Sequence, residues 1–179
     1  MKIIYLSNSS IPSNSANSIQ VIKMCNSFAK TNNLILFARP SKNIYKFNIV
    51  QEIYGIENNF KIIYLKNKSD LIFSLKAITI IIKNKPNLIY GRNIWGIILT
   101  SLLGYNSILE IHAPKFDEIK ILKRIFLKII FKRKNFKNLI LTTNYLKKEF
   151  ISSKIKIKKI LVLPDASELQ KNYYEKMKL

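Results

Sequence analysis

The amino-terminal stretch MKIIYLSNSSIPSNSANSIQVIKMCNSFAK constrains the chain most, because the hydrophobic period changes inside it. Lys2–Leu6 is β-branched and aromatic, the pattern of a buried strand. Ser7–Asn17 reads as a polar loop rich in serine and asparagine. From Asn17 onward Ile19, Ile22, Met24 or Cys25 and Phe28 recur at helical spacing, with Asn17 or Ser18 as the N-cap. Strand, polar loop and helix in that order place the loop at the carboxyl edge of a parallel strand, where open α/β sheets collect ligands. The loop holds no glycine, which excludes a dinucleotide fingerprint. It offers hydroxyl and amide side chains before a helix N-terminus, where unpaired N–H groups favour an anion or a sugar hydroxyl. The same residues also serve simply as helix caps and turn formers.

The pattern then repeats. Strands are expected at Asn33–Ala38, Phe60–Leu65, Asn87–Tyr90, Ser107–Ile111, Asn138–Thr142 and Lys159–Leu163. Helices are expected near Ile44–Tyr54, over Asp70–Lys83 with Ser69 as N-cap, from Gly91-Arg92-Asn93 to Leu103 with Gly104 as the stop, over Asp117–Lys134 and over Asn144–Ser152. Such alternation predicts a doubly wound, mainly parallel Rossmann-like sheet of about seven strands with helices on both faces. The usual order 3-2-1-4-5-6 puts Lys2–Leu6 in the middle. No domain boundary is visible before Pro164.

His112, the only histidine, stands at the carboxyl end of a buried strand and points into the same crevice as the Ser7–Asn17 loop. A neutral imidazole there can bond a sugar hydroxyl or a carbonyl, and it can equally be a satisfied polar residue. Arg92 ends the neighbouring strand and can reach the same edge to hold an anion, or remain a solvated charge. Glu110 and Glu118 lie eight apart on no common face, so that pair reads as chance. A lone histidine and a lone cysteine exclude a zinc site, so no metal is expected, and no G-x-S-x-G or P-loop occurs. Cys25 falls on the apolar side of the first helix and reads as core.

Charge is the unusual part of the composition: 31 Lys+Arg against 10 Asp+Glu, a formal +21, of which heavy lysine, asparagine and isoleucine usage explains a share. Such a balance favours a polyanion, nucleic acid or an acidic membrane face. The stretch DEIKILKRIFLKIIFKRK concentrates it. Ile119, Leu122, Ile125, Phe126, Ile129 and Ile130 form the expected core stripe. Lys120, Lys123, Arg124, Lys128 and Lys132 occupy the other side, flanked by Leu127 and Phe131. Basic residues beside exposed leucine and phenylalanine describe a helix lying on an anionic membrane, while a solvated surface helix has the same composition. Nucleic acid is disfavoured, because no helix-turn-helix, zinc or aromatic-platform signature accompanies the charge. No signal-peptide layout and no run long enough to span a bilayer occurs, so the expected location is the cytosol or the inner membrane face.

The ordered segments SNSSIPSNSANSIQVIKMCNSFAK, NLIYGRN, ILEIHAPK, LTTNYLKKEF and KILVLPDAS resemble the amino-terminal domain of family 4 glycosyltransferases of the GT-B fold, from Lys2 to about Ser167. The resemblance implies a domain over residues 1–165 that faces the acceptor, with 166–179 a tail or the start of a second domain. It implies that Ser13, Asn14, Ser15, Asn17 and Ser18 line the acceptor and diphosphate side and that His112 contacts the donor sugar; Arg92, read from its own position, would bind acceptor or phosphate beside them. Ala166 stands where the family's Pro-Asn/Asp-Gly segment has glycine. The implied reaction moves a sugar from a nucleotide-sugar to a glycan or lipid-linked acceptor of the cell envelope, with no cofactor. The donor domain and its E-x7-E motif do not appear before Leu179. The expectation is therefore the acceptor half of a split or truncated enzyme, partnered by a separate donor-binding domain, or a non-catalytic binding module.

Overall fold

The computed structural model describes residues 1–67, 69–112, 119–153, 157 and 159–164. Their elements alternate in chain order: β1 Lys2–Ile11, α1 Ala16–Ala29, β2 Asn33–Pro40, α2 Phe47–Tyr54, β3 Lys61–Tyr64, α3 Asp70–Asn84, β4 Leu88–Gly91, α4 Ile94–Leu102, β5 Ser107–Ile111, α5 Ile121–Ile130, β6 Phe136–Leu141, α6 Asn144–Ser152 and β7 Ile160–Val162. The strands form one parallel sheet in the order β3-β2-β1-β4-β5-β6-β7, with β1 central as expected. Successive side chains of a strand face opposite ways. Ile3 and Tyr5 of β1 join the core beneath α1 and α2, and Ile4 and Leu6 join the larger core beneath α3, α4, α5 and α6. No helix of the described residues is long and apolar enough to cross a membrane.

β1 runs five residues beyond Leu6, so most of the expected loop is strand. The polar run is tolerated because its groups find partners. The Ser7 hydroxyl donates to Ser9 Oγ at 2.9 Å, and pairing with β2 resumes after an irregularity at Ser10 opposite Arg39 and Ile11 opposite Pro40. Fully buried Ile11 anchors the end. The true connection is short, and Ser15, rather than Asn17 or Ser18, caps α1 by accepting from the Ser18 N–H. Helix α1 is also rotated from expectation: Val21, Ile22 and Cys25 are buried, while Ile19 is exposed.

The larger correction concerns α5. It is shorter than Asp117–Lys134 and ends at Ile130; residues 117 and 118 of that stretch lie outside the described residues. Leu127 and Phe131, expected on the basic side, are 0% and 1% exposed. The chain turns after Ile130 to enter β6, and the Phe131 ring packs on Phe136 with centroids 5.0 Å apart. That contact and Trp95–Phe126 at 5.9 Å fix the helix phase. Leu122, Ile125 and Ile129, expected in the core, face outward together with Ile121. Lys123 turns inward as well: its ammonium lies 3.7 Å from Asp70 Oδ2 and its side chain is 18% exposed.

One glycine positions the central edge. A Cβ on Gly91 would stand 2.3 Å from the Leu6 carbonyl oxygen. Its absence lets β4 close on β1, where the N–H groups of Arg92 and Asn93 both donate to Leu6 O at 3.0 and 3.3 Å. Asn93 then caps α4 by accepting from Gly96 N at 2.8 Å. Arg92 is thereby placed at the sheet edge between β1 and β5.

Candidate functional site

Strand β5 reads SILEI, four ordinary strand residues and one acid. Alternation sends Leu109 and Ile111 into the larger core and leaves Glu110 on the α1 face, 3% exposed. A buried carboxylate needs compensation from several donors. Three strands supply it. Tyr90 from β4 donates its hydroxyl to Glu110 Oε2 at 2.6 Å, and Tyr5 from β1 makes a longer contact of 3.4 Å to the same oxygen. Arg92 donates from Nη2 to Oε1 at 2.8 Å. His112, two residues along β5 and so on the same face, meets Oε1 through Nε2.

The cluster reaches α1 through Arg92, whose Nη1 donates to Asn17 Oδ1 at 2.7 Å. Asn17 in turn donates to Ser9 Oγ at 2.8 Å. The structure therefore brings together His112, Arg92 and Asn17 at the carboxyl edge, as the sequence led us to expect. Glu110, which by spacing reads as a chance pair with Glu118, is the residue that joins them; Glu118 lies outside the described residues. The signal was present: an acid in an apolar strand, two residues before a histidine and beside a strand ending in arginine.

The other loop residues divide. The Ser13 N–H donates to the Tyr54 hydroxyl at 2.6 Å, and that hydroxyl donates back to Ser13 O at 2.8 Å. Asn14 is exposed. Ser15 Oγ donates to Ser18 Oγ at 2.8 Å, and the buried Ser18 hydroxyl donates to Ser10 O at 2.9 Å. Ser15 and Ser18 thus hold the loop to β1.

Electrostatics follow from the geometry. Burial alone would raise the Glu110 pKa; the His112 hydrogen bond, the Arg92 charge and the Tyr90 hydroxyl outweigh it and hold the carboxyl below its ordinary value. Burial and the nearby Glu110 charge push Tyr90 and Tyr5 upward, which keeps both phenols protonated as donors. Beneath them the Tyr5, Tyr90 and Phe28 rings pack, with Tyr5–Tyr90 and Phe28–Tyr90 centroids each 5.2 Å apart. Cys25 is buried and its thiol is pushed up by burial, which suits core rather than nucleophile. An ionised carboxylate only accepts hydrogen bonds, so a neutral His112 bonded to it carries its proton on Nε2. The imidazole, 24% exposed, is held in one orientation at the rim. Such a rim can bind sugar hydroxyls and, through the guanidinium, an anion. Among the described residues no group of His, Cys, Asp and Glu is arranged to hold a metal.

No protein-family model and no curated protein sequence matches the chain. Solved structures do. HepE of Anabaena in complex with UDP is 14% identical, with a TM-score of 0.64 over 99% of this chain and 49% of that one. A glycosyltransferase from Rickettsia africae is 15% identical, with a TM-score of 0.60 over 98% and 48%. The UDP-GlcNAc 2-epimerase of Methanocaldococcus jannaschii is 17% identical, with a TM-score of 0.59 over 90% and 45%. The chain spans about half the length of each, and the likeness is one of fold: a Rossmann-like α/β domain matching half of GT-B-like proteins.

Because the folded Glu110 pKa is the lower one, its pairing contributes stability above the unfolded carboxylate value of about 4.3 and loses it as pH falls through the folded value. Glu110→Gln is expected to cost about 3 kcal/mol at neutral pH, where it leaves Arg92 without its carboxylate. The deficit should shrink at an acid pH below that unfolded value, where protonation removes the carboxylate from the wild type as well. Urea unfolding of both proteins at the two pH values checks this; an equal deficit at both would show that the charge is not what matters.

Proposed function

We propose that the chain is the acceptor-side half of a glycosyltransferase resembling family 4, which moves a sugar from a nucleotide-sugar onto a glycan or lipid-linked acceptor of the cell envelope. The observation that carries this reading is the Glu110–His112–Arg92 cluster at the carboxyl edge of the sheet. The fold shared with UDP-bound HepE and with a glycosyltransferase supports it. In this reading residues 1–165 form the acceptor domain and 166–179 are a tail or lead into a donor domain. A donor domain, on this chain or another, completes the cleft, because transfer needs both reactants held in a near-attack geometry.

The roles follow from the chemistry of the rim. The acceptor hydroxyl oxygen attacks the anomeric carbon as the bond to the nucleotide diphosphate breaks; the leaving diphosphate takes the electron pair of that bond and gains negative charge, and the proton lost by the hydroxyl passes to that diphosphate or to solvent. Glu110 fixes the His112 ring, which then orients the donor sugar through a hydrogen bond. Arg92 faces phosphate oxygens. Asn14, Asn17 and Ser13 take acceptor hydroxyls. The test is the full polypeptide incubated with labelled nucleotide-sugars and membranes. Label is expected in a glycan or lipid fraction, and His112→Ala should reduce transfer by about 10²-fold, the scale of losing one positioned donor. Epimerised nucleotide-sugar without transfer, or unchanged transfer by the variant, would contradict the reading.

A lipid-linked acceptor gives α5 a role. Ile121, Leu122, Ile125 and Ile129 form one exposed aliphatic stripe, with Ile121 74% exposed. Lys120, Arg124 and Lys128 border it, Lys132 follows beyond the helix end, and no acid interrupts the helix. On α3, tied to α5 by the Lys123–Asp70 pair, Leu71, Ile72 and Leu75 are exposed too. An aliphatic stripe with a cationic border suits an anionic lipid surface, to which each nearby Lys or Arg contributes about 1 kcal/mol. Replacing Ile125 and Ile129 together with serine should abolish sedimentation with phosphatidylserine vesicles and leave retention on heparin nearly intact. Unchanged vesicle binding, or equal loss on both, would refute a lipid role for the stripe.

A further inference from the structure

A second polar network lies on the opposite side of the β1 extension. Ser9 turns towards Asn17 and the Glu110 cluster, whereas Asn8 turns towards α3 and donates to Asp70 Oδ1 at 3.0 Å. Arg39, at the end of β2, donates to the same oxygen at 2.8 Å, and its guanidinium carbon sits 5.8 Å from the centre of the Phe73 ring. Beside this arginine opens a cleft of about 630 Å³, lined by Ser10, Arg39, Pro40, Ser41, Lys66 and Asn67. It stands at the carboxyl ends of β1, β2 and β3, the edge at which sheets of this kind bind ligands.

Its volume falls within the roughly 300–1,000 Å³ of small-molecule sites. Among the described residues no carboxylate lines it, and two cations do. Asp70, behind Arg39, faces both Arg39 and Lys123, and Lys66 adds a second cation to the cleft wall. Two like charges on the walls of one cleft repel each other, and the repulsion is relieved by an anion between them. Arg39 is also anchored: the Asp70 bond and the Phe73 ring fix its plane, which lowers the entropy lost when it grips a ligand. The Ser10 and Ser41 hydroxyls and the Asn67 amide supply neutral partners of the kind that sugars use.

We propose that this cleft binds a sugar-sized ligand through an anionic group, a phosphate or a carboxylate, held between Arg39 and Lys66. The proposal rests on the transferase reading only in making that ligand the acceptor. Binding is measured without any transfer reaction, so a failed transferase assay leaves it standing.

The ¹⁵N-labelled chain is titrated with glucose 1-phosphate, glucuronate and glucose at about 0.15 M salt, where long-range attraction to the basic surface is screened. Saturable shifts at the Ser10, Ser41, Lys66 and Asn67 amides are expected from at least one of the two anions and not from glucose. A response to the first alone assigns a phosphate, and to the second alone a carboxylate. Lys66→Gln removes an exposed side chain without touching the Asp70 network and should weaken binding about tenfold, the loss of one charge-assisted hydrogen bond. Lys83→Gln, at the far end of α3, should leave it unchanged. Equal shifts with glucose, shifts scattered over the exposed lysines, or equal behaviour of the two variants would overturn the proposal.

Discussion

A carboxylate inside the sheet is the constraint on which the rest of the site depends. Glu110 is 3% exposed in a strand that otherwise builds core, and its charge is balanced by groups converging from three strands, of which Arg92 is itself held by Asn17 of α1. Breaking a buried pair by removing one partner costs about 3–5 kcal/mol, a large part of the roughly 5–15 kcal/mol that stabilises a domain. An apolar residue in place of Glu110 would have made a simpler core. The arrangement holds an imidazole and a guanidinium at one rim in fixed orientation, which suits a functional site better than a stabilising device.

The extended end of β1 gives that rim its shape. Beyond Leu6 the strand carries alternating polar side chains, and alternation sorts them into two networks. Ser9 joins Asn17 and Arg92 on the α1 side, while Asn8 joins Asp70, Arg39 and Asn93 on the α3 side. Gly91 makes this geometry accessible, because only a residue without Cβ lets β4 lie so close to Leu6. The central strand thereby separates a histidine-bearing rim from a cationic cleft.

The alternation of strands and helices was legible because each apolar run is long enough to declare its period, and the central place of β1 followed from the usual winding order. His112, Arg92 and Asn17 could be assigned to one edge for the same reason. Three things were not legible. The serines after Leu6 have low strand propensity and stay in β1 because tertiary partners satisfy them. The phase of α5 is hidden because seven of its ten residues are apolar, so periodicity alone leaves several faces equally hydrophobic, and aromatic contacts of Phe126 and Phe131 decide. For Glu110 the spacing carries only the His112 contact on the same strand face, while its pairing across strands with Arg92 and Tyr90 is a relation that spacing does not carry.

Whether the Glu110 carboxylate sets the state of the His112 ring is directly measurable, because His112 is the only imidazole in the chain. Long-range ¹H–¹⁵N spectra of the ring, taken where it is neutral, report which nitrogen bears the proton. The Nε2–H tautomer alone is expected in the wild type and a mixture of tautomers in Glu110→Gln. An Nδ1–H ring in the wild type, or a tautomer balance indifferent to Glu110, would contradict it.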